Sequence, residues 1–392
     1  MTTLTAEQAA RRLGVSVSTL YAYVSRGLLH SEPGNGRRQR LYRADEIEAL
    51  LERRADRAQA DRALAGALSW GEPLCESALT LIQDGELYYR GQNACDLARR
   101  ASLEEVIALL WGDYRPEQAP SPPLVDGVPP FERFRIALPQ LQRADPRAFD
   151  LRPEGIRSTG ARILHTLVEL AGGQGDSPEL VDRLAQGWAP GHRRALEAAL
   201  ILCADHELNV SAFTARCVAS AGATPYDVVT AGLAALSGHR HGGHCAKVEG
   251  LLRETHHAGA REVVLRRMKE GDELGGFSHQ LYPDGDPRAA CLLNLIGEVP
   301  QSCQELRDNA WDLLQVHPNI DFALVALSQK LELPEGSALA LFALGRTVGW
   351  LAHALEQTSG GALIRPRARY TGPSPTIKRG LRGESERLGH EL

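Results

Sequence analysis

The chain has 392 residues, enough for two or three domains, and a net charge of −5. A hydrophobic fraction of 43% and a charged fraction of 24% exclude disordered, collagen-like and fibrous coiled-coil proteins. Only 5% of the residues are aromatic, which favours close-packed helices over a β-sandwich.

The charge is unevenly distributed along the chain. Residues 1–62 contain eleven arginines, no lysine and eight acidic residues, which gives a net charge of +3 and leaves −8 on the rest. A small basic segment ahead of a larger acidic one predicts an N-terminal domain that approaches a polyanion.

Neither a secretory signal nor a membrane span is evident. The first dozen residues include Glu7 and two arginines and have no apolar stretch, and apolar runs such as 338–344 are far shorter than the roughly 20 residues that a bilayer requires. The seven cysteines are widely spaced and form no C-x-x-C pair, as expected for reduced thiols. We therefore expect a cytoplasmic protein that does not contact a membrane.

Residues 1–62 have the pattern of a helix-turn-helix. Apolar residues recur at helical spacing over 5–13, Gly14 ends this helix, and Ser16 is the expected N-cap of a second helix that runs to Gly27. Asn35-Gly36 predicts a tight hairpin, and the strand after it is rich in arginine. A further helix is expected from Asp45, within a helical segment over 44–68. A short helix, a glycine turn and a second helix are typical of DNA-binding domains.

The segments "GVSVSTLYAYVSRGLL" and "RLYRADEIEAL" resemble the winged helix-turn-helix of MerR-type and excisionase-type proteins. The resemblance implies DNA binding, with the second helix in the major groove and the wing arginines on phosphates. The alternative is a degenerate helix-turn-helix that serves protein contact or dimerisation. The resemblance implies DNA contacts from Ser18, Thr19, Tyr21, Arg37, Arg38 and Arg40.

Beyond a linker that ends at about residue 69, the chain is predicted to be mainly helical. Alternating apolar residues predict a hairpin with strand segments at 79–82 and 87–91 around Asp84-Gly85. Helical periodicity then predicts helices over 103–111, 163–171, 180–188, 192–204, 211–221 and 225–236.

Three stretches combine histidine, aspartate and arginine with glycine. Neutral imidazoles can donate hydrogen bonds to a carbonyl oxygen as charge develops there. A carboxylate in a dry pocket can remove a proton from a weak carbon acid, and arginines bind carboxylates bidentately. Such a set suits carbon–carbon bond formation between a carbon acid and an anionic keto acid. The stretches are 204–209 with 236–243, then 276–289, and finally 318–322 with 346–350 and 365–367.

These stretches also resemble citrate synthases, over about 300 residues that end near Gly372. The resemblance implies a mainly α fold with a large domain at about 70–242 and 332–372 and a small domain at about 243–331. The polar, arginine-rich residues of 373–392 predict a flexible tail. The motifs, in chain order, are A-D-H-E-x-N at 204–209, S-G-x-x-H-G-G at 237–243, G-F-x-H-x-x-Y at 276–282, D-P-R-A at 286–289, N-x-D-F at 319–322 and R-T-V-G-W-x-A-H at 346–353.

The resemblance implies that acetyl-CoA and oxaloacetate condense to citrate and CoA. Asp321 would take a methyl proton from acetyl-CoA, His241 would stabilise the forming enol, and His279 would polarise the ketone of oxaloacetate. Water would then hydrolyse the citryl thioester, with no cofactor besides acetyl-CoA as a substrate. Closure of the small domain would exclude water until condensation is complete.

The resemblance also implies how the substrate carboxylates are held. His206, Arg288 and Arg346 match family positions that bind the carboxylates of oxaloacetate and citrate. Arg365 matches an arginine that reaches the partner's active site, so the active unit would be a homodimer.

Other interpretations remain open. Use of propionyl-CoA in place of acetyl-CoA would make the chain a 2-methylcitrate synthase. The sequence does not separate the two substrates, because they differ by one methylene, which is worth only about 1–3 kcal/mol of discrimination. Alternatively, the chain is a DNA-binding transcription regulator whose synthase-like body senses oxaloacetate, citrate or acyl-CoA. Ser278 replaces a glycine usual in the family, and Pro283 stands where many members have a basic residue near the CoA phosphates. These departures leave room for a changed acyl-CoA or acceptor.

Two chemical alternatives come from the residues alone. Asp321 follows Pro-Asn and could simply cap a helix. Cys245 and the histidines at 239, 241 and 244 could bind zinc. We expect no metal, because the double glycine at 242–243 breaks the spacing of a rigid site and no second ligand pair is evident.

Overall fold

The computed structural model describes residues 3–25, 27–34, 40–51, 75–117, 119, 127–368 and 370–373. The chain divides into two compact units, Met1–Ser77 and Ala78–Leu392. Several predictions lie outside the described residues, namely the Asn35-Gly36 turn, the linker helix beyond residue 51 and the tail from residue 374.

The described part of the N-terminal unit combines three helices with a small sheet. Thr5 and Gln8 form a capping box that starts the first helix, and Gly14 ends it at a φ of 66°. Its core includes the fully buried Leu20 and Ile47. The strands are β1 (Thr3–Thr5), β2 (Glu32–Pro33) and β3 (Arg40–Arg43), antiparallel in the order β1-β3-β2, and the helices are α1 (Ala6–Leu13), α2 (Val17–Ser25) and α3 (44–51).

The second unit opens with the predicted hairpin, which gains a short third strand. Asp84 and Gly85 have φ values of 53° and 76°, the left-handed conformations that a two-residue hairpin turn requires. The hydroxyl of the buried Tyr89 donates to the carbonyl of Ile201 at 3.0 Å, which fixes the hairpin to the helix that leads into the first histidine motif. The strands are β4 (Thr80–Gln83), β5 (Glu86–Tyr89) and β6 (Gln92–Asn93), in the order β4-β5-β6.

The rest of the described part of this unit is helical, as predicted. The helix predicted over 163–171 begins ten residues earlier, at Pro153, because the polar first turns of this helix conceal its periodicity. The other predicted helices match within one residue at each end. The helices are α4 (Ala94–Arg100), α5 (Leu103–Trp111), α6 (Pro130–Ala144), a 3₁₀ helix (Pro146–Phe149), α7 (Pro153–Ala171), α8 (Leu180–Trp188), α9 (Arg193–Cys203), α10 (Val210–Ser220), α11 (Pro225–Leu236), α12 (His244–Ala258), α13 (Ala260–Glu270), α14 (Pro287–Ile296), α15 (Gln301–Leu314), α16 (Ile320–Lys330) and α17 (Ser337–Gly360).

Helix α17 lies at the centre of this unit. Among the described helices, it is the one long and apolar enough to cross a membrane by length and composition, and 94% of its apolar window is buried inside the protein, as in a core helix. A Cβ on Gly345 would lie 2.4 Å from the carbonyl oxygen of Leu200, so α17 and α9 are in backbone contact there. This close approach places Arg346 beside the end of α9.

Candidate active site

The first histidine motif follows α9 and is held from two sides. His206 is buried, and its Nε2 lies 3.0 Å from the hydroxyl oxygen of Tyr282. Its ring centroid is 5.1 Å from that of His279, in an edge-to-face arrangement. The neighbouring Asp205 accepts a hydrogen bond of 2.5 Å from the Thr80 hydroxyl, which ties the hairpin to the motif. Residues 76 and 125 positions apart in sequence are thus in direct contact here.

The second motif presents His279 in a defined tautomer. The backbone N–H of Leu281 donates to Nδ1 of His279 at 3.2 Å, so in the neutral ring the proton is on Nε2. Ser278 has a φ of 60°, the left-handed region that glycine adopts more readily, and its N–H donates to the carbonyl of His317 at 2.8 Å. The departure from glycine at this position is therefore accommodated at the cost of some backbone strain.

Arg288 forms a buried, bidentate ion pair with Asp286. Its Nε and Nη2 donate to the two carboxylate oxygens at 2.9 and 2.8 Å, and both side chains are almost fully buried. The pairing raises the pKa of Arg288, although burial opposes it. Asp286 also accepts the backbone N–H of Ile320 at 3.0 Å. The same carboxylate therefore orients Arg288 and fixes the first turn of α16.

Asp321 lies in that first turn. Asn319 caps α16 by accepting the N–H of Asp321 at 3.1 Å, so the alternative in which Asp321 is the N-cap is wrong. One carboxylate oxygen of Asp321, Oδ1, accepts a hydrogen bond from the thiol of Cys245 at 3.1 Å. Burial raises the pKa of Asp321 above its ordinary value. A carboxylate with a raised pKa is a stronger base once it is ionised.

His241 precedes α12 and contacts two other elements. Its Nε2 lies 2.8 Å from the hydroxyl of Ser211, and its ring packs edge-to-face on Phe342 with centroids 5.9 Å apart. The guanidinium of Arg346 lies over the ring of Phe342, 4.8 Å from its centroid. Phe342 therefore connects the third site histidine to the second buried arginine.

Arg346 differs from Arg288 in its electrostatic environment. It is 1% exposed, and its Nε donates to the carbonyl of Cys203 at 2.8 Å. In the part of the chain that the structure describes, no carboxylate lies within ion-pair distance of it. Asp205 attracts it at longer range, but Oδ1 of Asp205 is itself 3.3 Å from Nε2 of His353. Burial lowers the pKa of Arg346, as expected for a cation without a close partner.

The three imidazoles are kept neutral. Burial, reinforced by Arg346, lowers the pKa of His241 to about 3, and burial together with Arg288 lowers that of His279 to about 4. The pKa of His206 is lowered in the same direction by burial and then by Arg288. At neutral pH the site therefore offers uncharged imidazoles beside two buried guanidinium groups, which suits hydrogen bonding to carbonyl oxygens and binding of anions.

The structure thus brings six of the seven predicted body residues together and leaves one apart. Arg365 is exposed, in the irregular segment after α17, and makes no hydrogen bond or ion pair within the described part of its own chain. Its predicted role across a dimer interface remains a prediction. Ser211, Cys245 and Tyr282 were not predicted as contacts of site residues, since nothing in local periodicity indicates pairs 30 to 76 residues apart.

No three histidine, cysteine, aspartate or glutamate side chains are grouped to hold a metal ion within the described residues. The alternative ligands at 239–245 have different partners: His241 contacts Ser211, and Cys245 contacts Asp321.

The N-terminal unit presents part of the predicted DNA-contacting surface. Tyr21 is 52% exposed on α2, and Arg40 is exposed at the start of β3. Ser18 and Thr19 lie in the first turn of α2, each 2.8 Å from the hydroxyl of Ser16. Arg37 and Arg38 lie outside the described residues.

Sequence comparisons identify both segments of the chain. The family model described as citrate synthase, C-terminal domain, matches residues 67–124 and 143–367, and a helix-turn-helix domain model matches residues 3–55. Citrate synthase 2 of Bacillus subtilis is 31% identical over 346 residues, which cover 76% of this chain and 93% of that protein. The 2-methylcitrate synthase of Shewanella oneidensis is 27% identical over 366 residues, which cover 80% of this chain and 96% of that protein.

Solved structures show the same fold. Citrate synthase from Thermotoga maritima has a TM-score of 0.65 at 25% identity, and the match covers 78% of this chain and 95% of that one. A ternary complex of citrate synthase from Thermoplasma acidophilum with carboxymethyl coenzyme A and oxaloacetate also has a TM-score of 0.65, and the match covers 77% of this chain and 95% of that one. Because the two sequences are only 22% identical, this match supports the fold alone. The predicted mainly α fold and both resemblances are confirmed. The chain belongs to the citrate synthase family of acyltransferases and carries a helix-turn-helix domain in its N-terminal segment.

Proposed function

We propose that the chain condenses acetyl-CoA with oxaloacetate to give citrate and CoA. The observation that carries this proposal is Arg346, a buried guanidinium that no carboxylate of the described chain pairs with, in a site that also contains neutral imidazoles. A buried cation without a partner is costly, and a dicarboxylate substrate would supply the missing charge. Arg288 and His206 would bind further carboxylate oxygens.

The chemistry follows from the arrangement of the side chains. Asp321 would remove a proton from the acetyl methyl group, while His241 donates a hydrogen bond to the thioester oxygen. If the Ser211 hydroxyl donates to Nε2 of His241, the proton of the neutral ring is on Nδ1 and is available to the substrate. The resulting enol would attack the ketone carbon of oxaloacetate, and Nε2–H of His279 would protonate the ketone oxygen.

These steps form citryl-CoA, and attack by water on its thioester then breaks the carbon–sulfur bond to release citrate and CoA. The reaction as proposed consumes only the two substrates and water. Its residues would come from both predicted domains, with His206, His241 and Arg346 in the large domain and His279, Arg288 and Asp321 in the small one. Movement of the small domain would then assemble and open the site. We further propose a homodimer in which Arg365 completes the partner's site.

The direct test is release of CoA by the purified full-length chain supplied with acetyl-CoA and oxaloacetate. We expect release that requires both substrates and is lost in Asp321→Asn, because the amide cannot accept the methyl proton. Asp312→Asn, which removes an exposed carboxylate on α15, is the matched control and should be fully active. Absence of CoA release with either acetyl-CoA or propionyl-CoA would contradict the proposal, whereas faster release with propionyl-CoA would indicate a 2-methylcitrate synthase.

The N-terminal domain supports a second proposal, a regulator that binds DNA. The exposed Tyr21 and Arg40 of a helix-turn-helix with net positive charge favour it. Affinity of the full chain for its own upstream DNA should fall steeply as salt increases, and Arg40→Gln should reduce that salt dependence. Affinity that oxaloacetate and acetyl-CoA do not alter would argue against a sensory role of the body. DNA binding retained in Asp321→Asn would separate the two functions.

A further inference from the structure

A thiol contacts the carboxylate that the proposed mechanism uses as its base. Cys245 is the second residue of α12, is 1% exposed, and lies 3.1 Å from Oδ1 of Asp321. An ionised carboxylate can only accept, so the thiol is the donor. Within the described residues, no other side chain donates to this carboxylate, which leaves Oδ2 of Asp321 without a protein donor.

The surroundings of Cys245 do not suit the usual reactive roles of cysteine. Burial, and then the adjacent Asp321, raise the pKa of Cys245 well above its ordinary value, so the thiol stays protonated. Cys245 forms no disulfide, and no group of three metal-binding side chains includes it within the described residues. A hydrogen-bonding role therefore accounts best for a buried thiol at this position.

We propose that Cys245 is a positioning residue for Asp321. The thiol holds Oδ1, so that Oδ2 is the oxygen directed at the methyl group of the acyl-CoA, and it stabilises the ionised carboxylate. This inference rests on the proposed function, because it assigns Asp321 the role of base.

A thiol is chemically suited to this task. A buried carboxylate without any donor would tend to remain protonated and could not accept the methyl proton. A lysine or arginine in direct contact would stabilise the anion so strongly that its basicity would fall. The S–H group is a weak, neutral donor, so it favours the anion modestly and preserves much of its basicity.

Other ionisable groups also act on Asp321 but do not contact it. His244 at the start of α12 and Arg288 on α14 lower its pKa, and Asp286 raises it. Cys203, at the end of α9, also lies within electrostatic range of Asp321. All of these groups are retained when Cys245 alone is replaced, so the effect of the thiol can be measured separately.

The test compares Cys245→Ala with Cys245→Ser, two small side chains that differ by a hydroxyl donor. In Cys245→Ala we expect kcat to fall about five- to tenfold with little change in KM, since a hydrogen bond to a charged group is lost. The acid limb of the kcat–pH profile should move to higher pH by about half to one unit, because losing the donor raises the pKa of the base. Cys245→Ser should restore both kcat and the acid limb. The control is Cys303→Ala, which removes a buried thiol whose acceptor is the neutral amide of Gln329.

A spectroscopic readout keeps this inference separable from the proposed function. The infrared S–H stretch of Cys245, assigned by its loss in Cys245→Ala, should lie at low frequency and should move up in Asp321→Asn, because an amide oxygen is a weaker acceptor. If this shift is present but the wild type releases no CoA, the contact stands and the proposed function fails. If the wild type is active, the positioning role is overturned when Cys245→Ala keeps the wild-type kcat and acid limb, or when Cys245→Ser behaves like Cys245→Ala. An S–H band with the same frequency in the wild type and in Asp321→Asn overturns the positioning role, whether or not the wild type is active.

Discussion

The contrast between the two buried arginines predicts that the same substitution changes stability by very different amounts. Arg288 is neutralised by Asp286 at 2.8 Å, whereas Arg346 has no ion-pair partner within the described residues and donates to a backbone carbonyl. Methionine replaces either side chain with an uncharged one of similar length. Arg288→Met leaves Asp286 buried and unpaired, which should cost about 3–5 kcal/mol of unfolding free energy. Arg346→Met gives up one hydrogen bond of about 1 kcal/mol but also removes an unpaired buried charge, so its stability should stay within about 1 kcal/mol of the wild type.

The activity of Arg346→Met, unlike its stability, should fall strongly. If its guanidinium binds a substrate carboxylate through charge-assisted hydrogen bonds, its loss removes about 3–4 kcal/mol of transition-state stabilisation. The kcat/KM for oxaloacetate should then fall by roughly two to three orders of magnitude. Urea unfolding and a CoA-release assay on both variants measure the two quantities. Arg346 is not an unpaired, substrate-binding cation if Arg346→Met loses as much stability as Arg288→Met, or if this variant keeps its kcat/KM for oxaloacetate within about threefold of the wild type.

Two further predictions concern stability. His241 and His279 have pKa values of about 3 and about 4 in the folded protein. Below a pH of about 6.5, the unfolded chain therefore binds more protons than the folded one. Each of these residues should lower the unfolding free energy by up to about 1.4 kcal/mol per pH unit as the pH falls towards its folded-state pKa. Urea unfolding at pH 7, 6 and 5 should show this loss, and an equal slope in the double variant His241→Gln/His279→Gln would contradict it. Gly345→Ala places a Cβ 2.4 Å from the carbonyl oxygen of Leu200 and should lower the unfolding free energy by about 1–3 kcal/mol. Gly360→Ala, at the end of the same helix with open space around it, should leave the unfolding free energy unchanged. Equal thermal midpoints for the two variants would count against this packing of α17 on α9.

The helices were predictable where caps and periodicity agree. Ser102 and Glu105 form a capping box ahead of α5, and Thr224 caps α11 with proline next to it, so both helices were predicted with their observed bounds. The start of α7 was missed, because its first turns are polar and contain Gly155 and Gly160. Strand β1 was also missed, since it has three residues and depends on pairing with β3, about 40 residues later.

The site was predictable as a set of residues but not as a network. The motifs indicated the histidines, arginines and Asp321, because chemistry limits which side chains can serve. The partners of these residues depend on packing between distant helices, as in the contact of Cys245 with Asp321, 76 residues apart. The absence of an ion-pair partner for Arg346 within the described residues also depends on the fold, because sequence does not show which carboxylates approach it.

Condensation by this site is tested most directly by following the carbon–carbon bond itself. Full-length protein is incubated with acetyl-CoA labelled with ¹³C in its methyl group and with unlabelled oxaloacetate, and the products are identified by mass spectrometry. The proposed site predicts citrate that carries the label, formed together with an equal amount of free CoA, and neither product in Asp321→Asn. Free CoA accompanied by labelled acetate, with oxaloacetate unconsumed, would show simple thioester hydrolysis and would contradict the claim that these residues catalyse condensation.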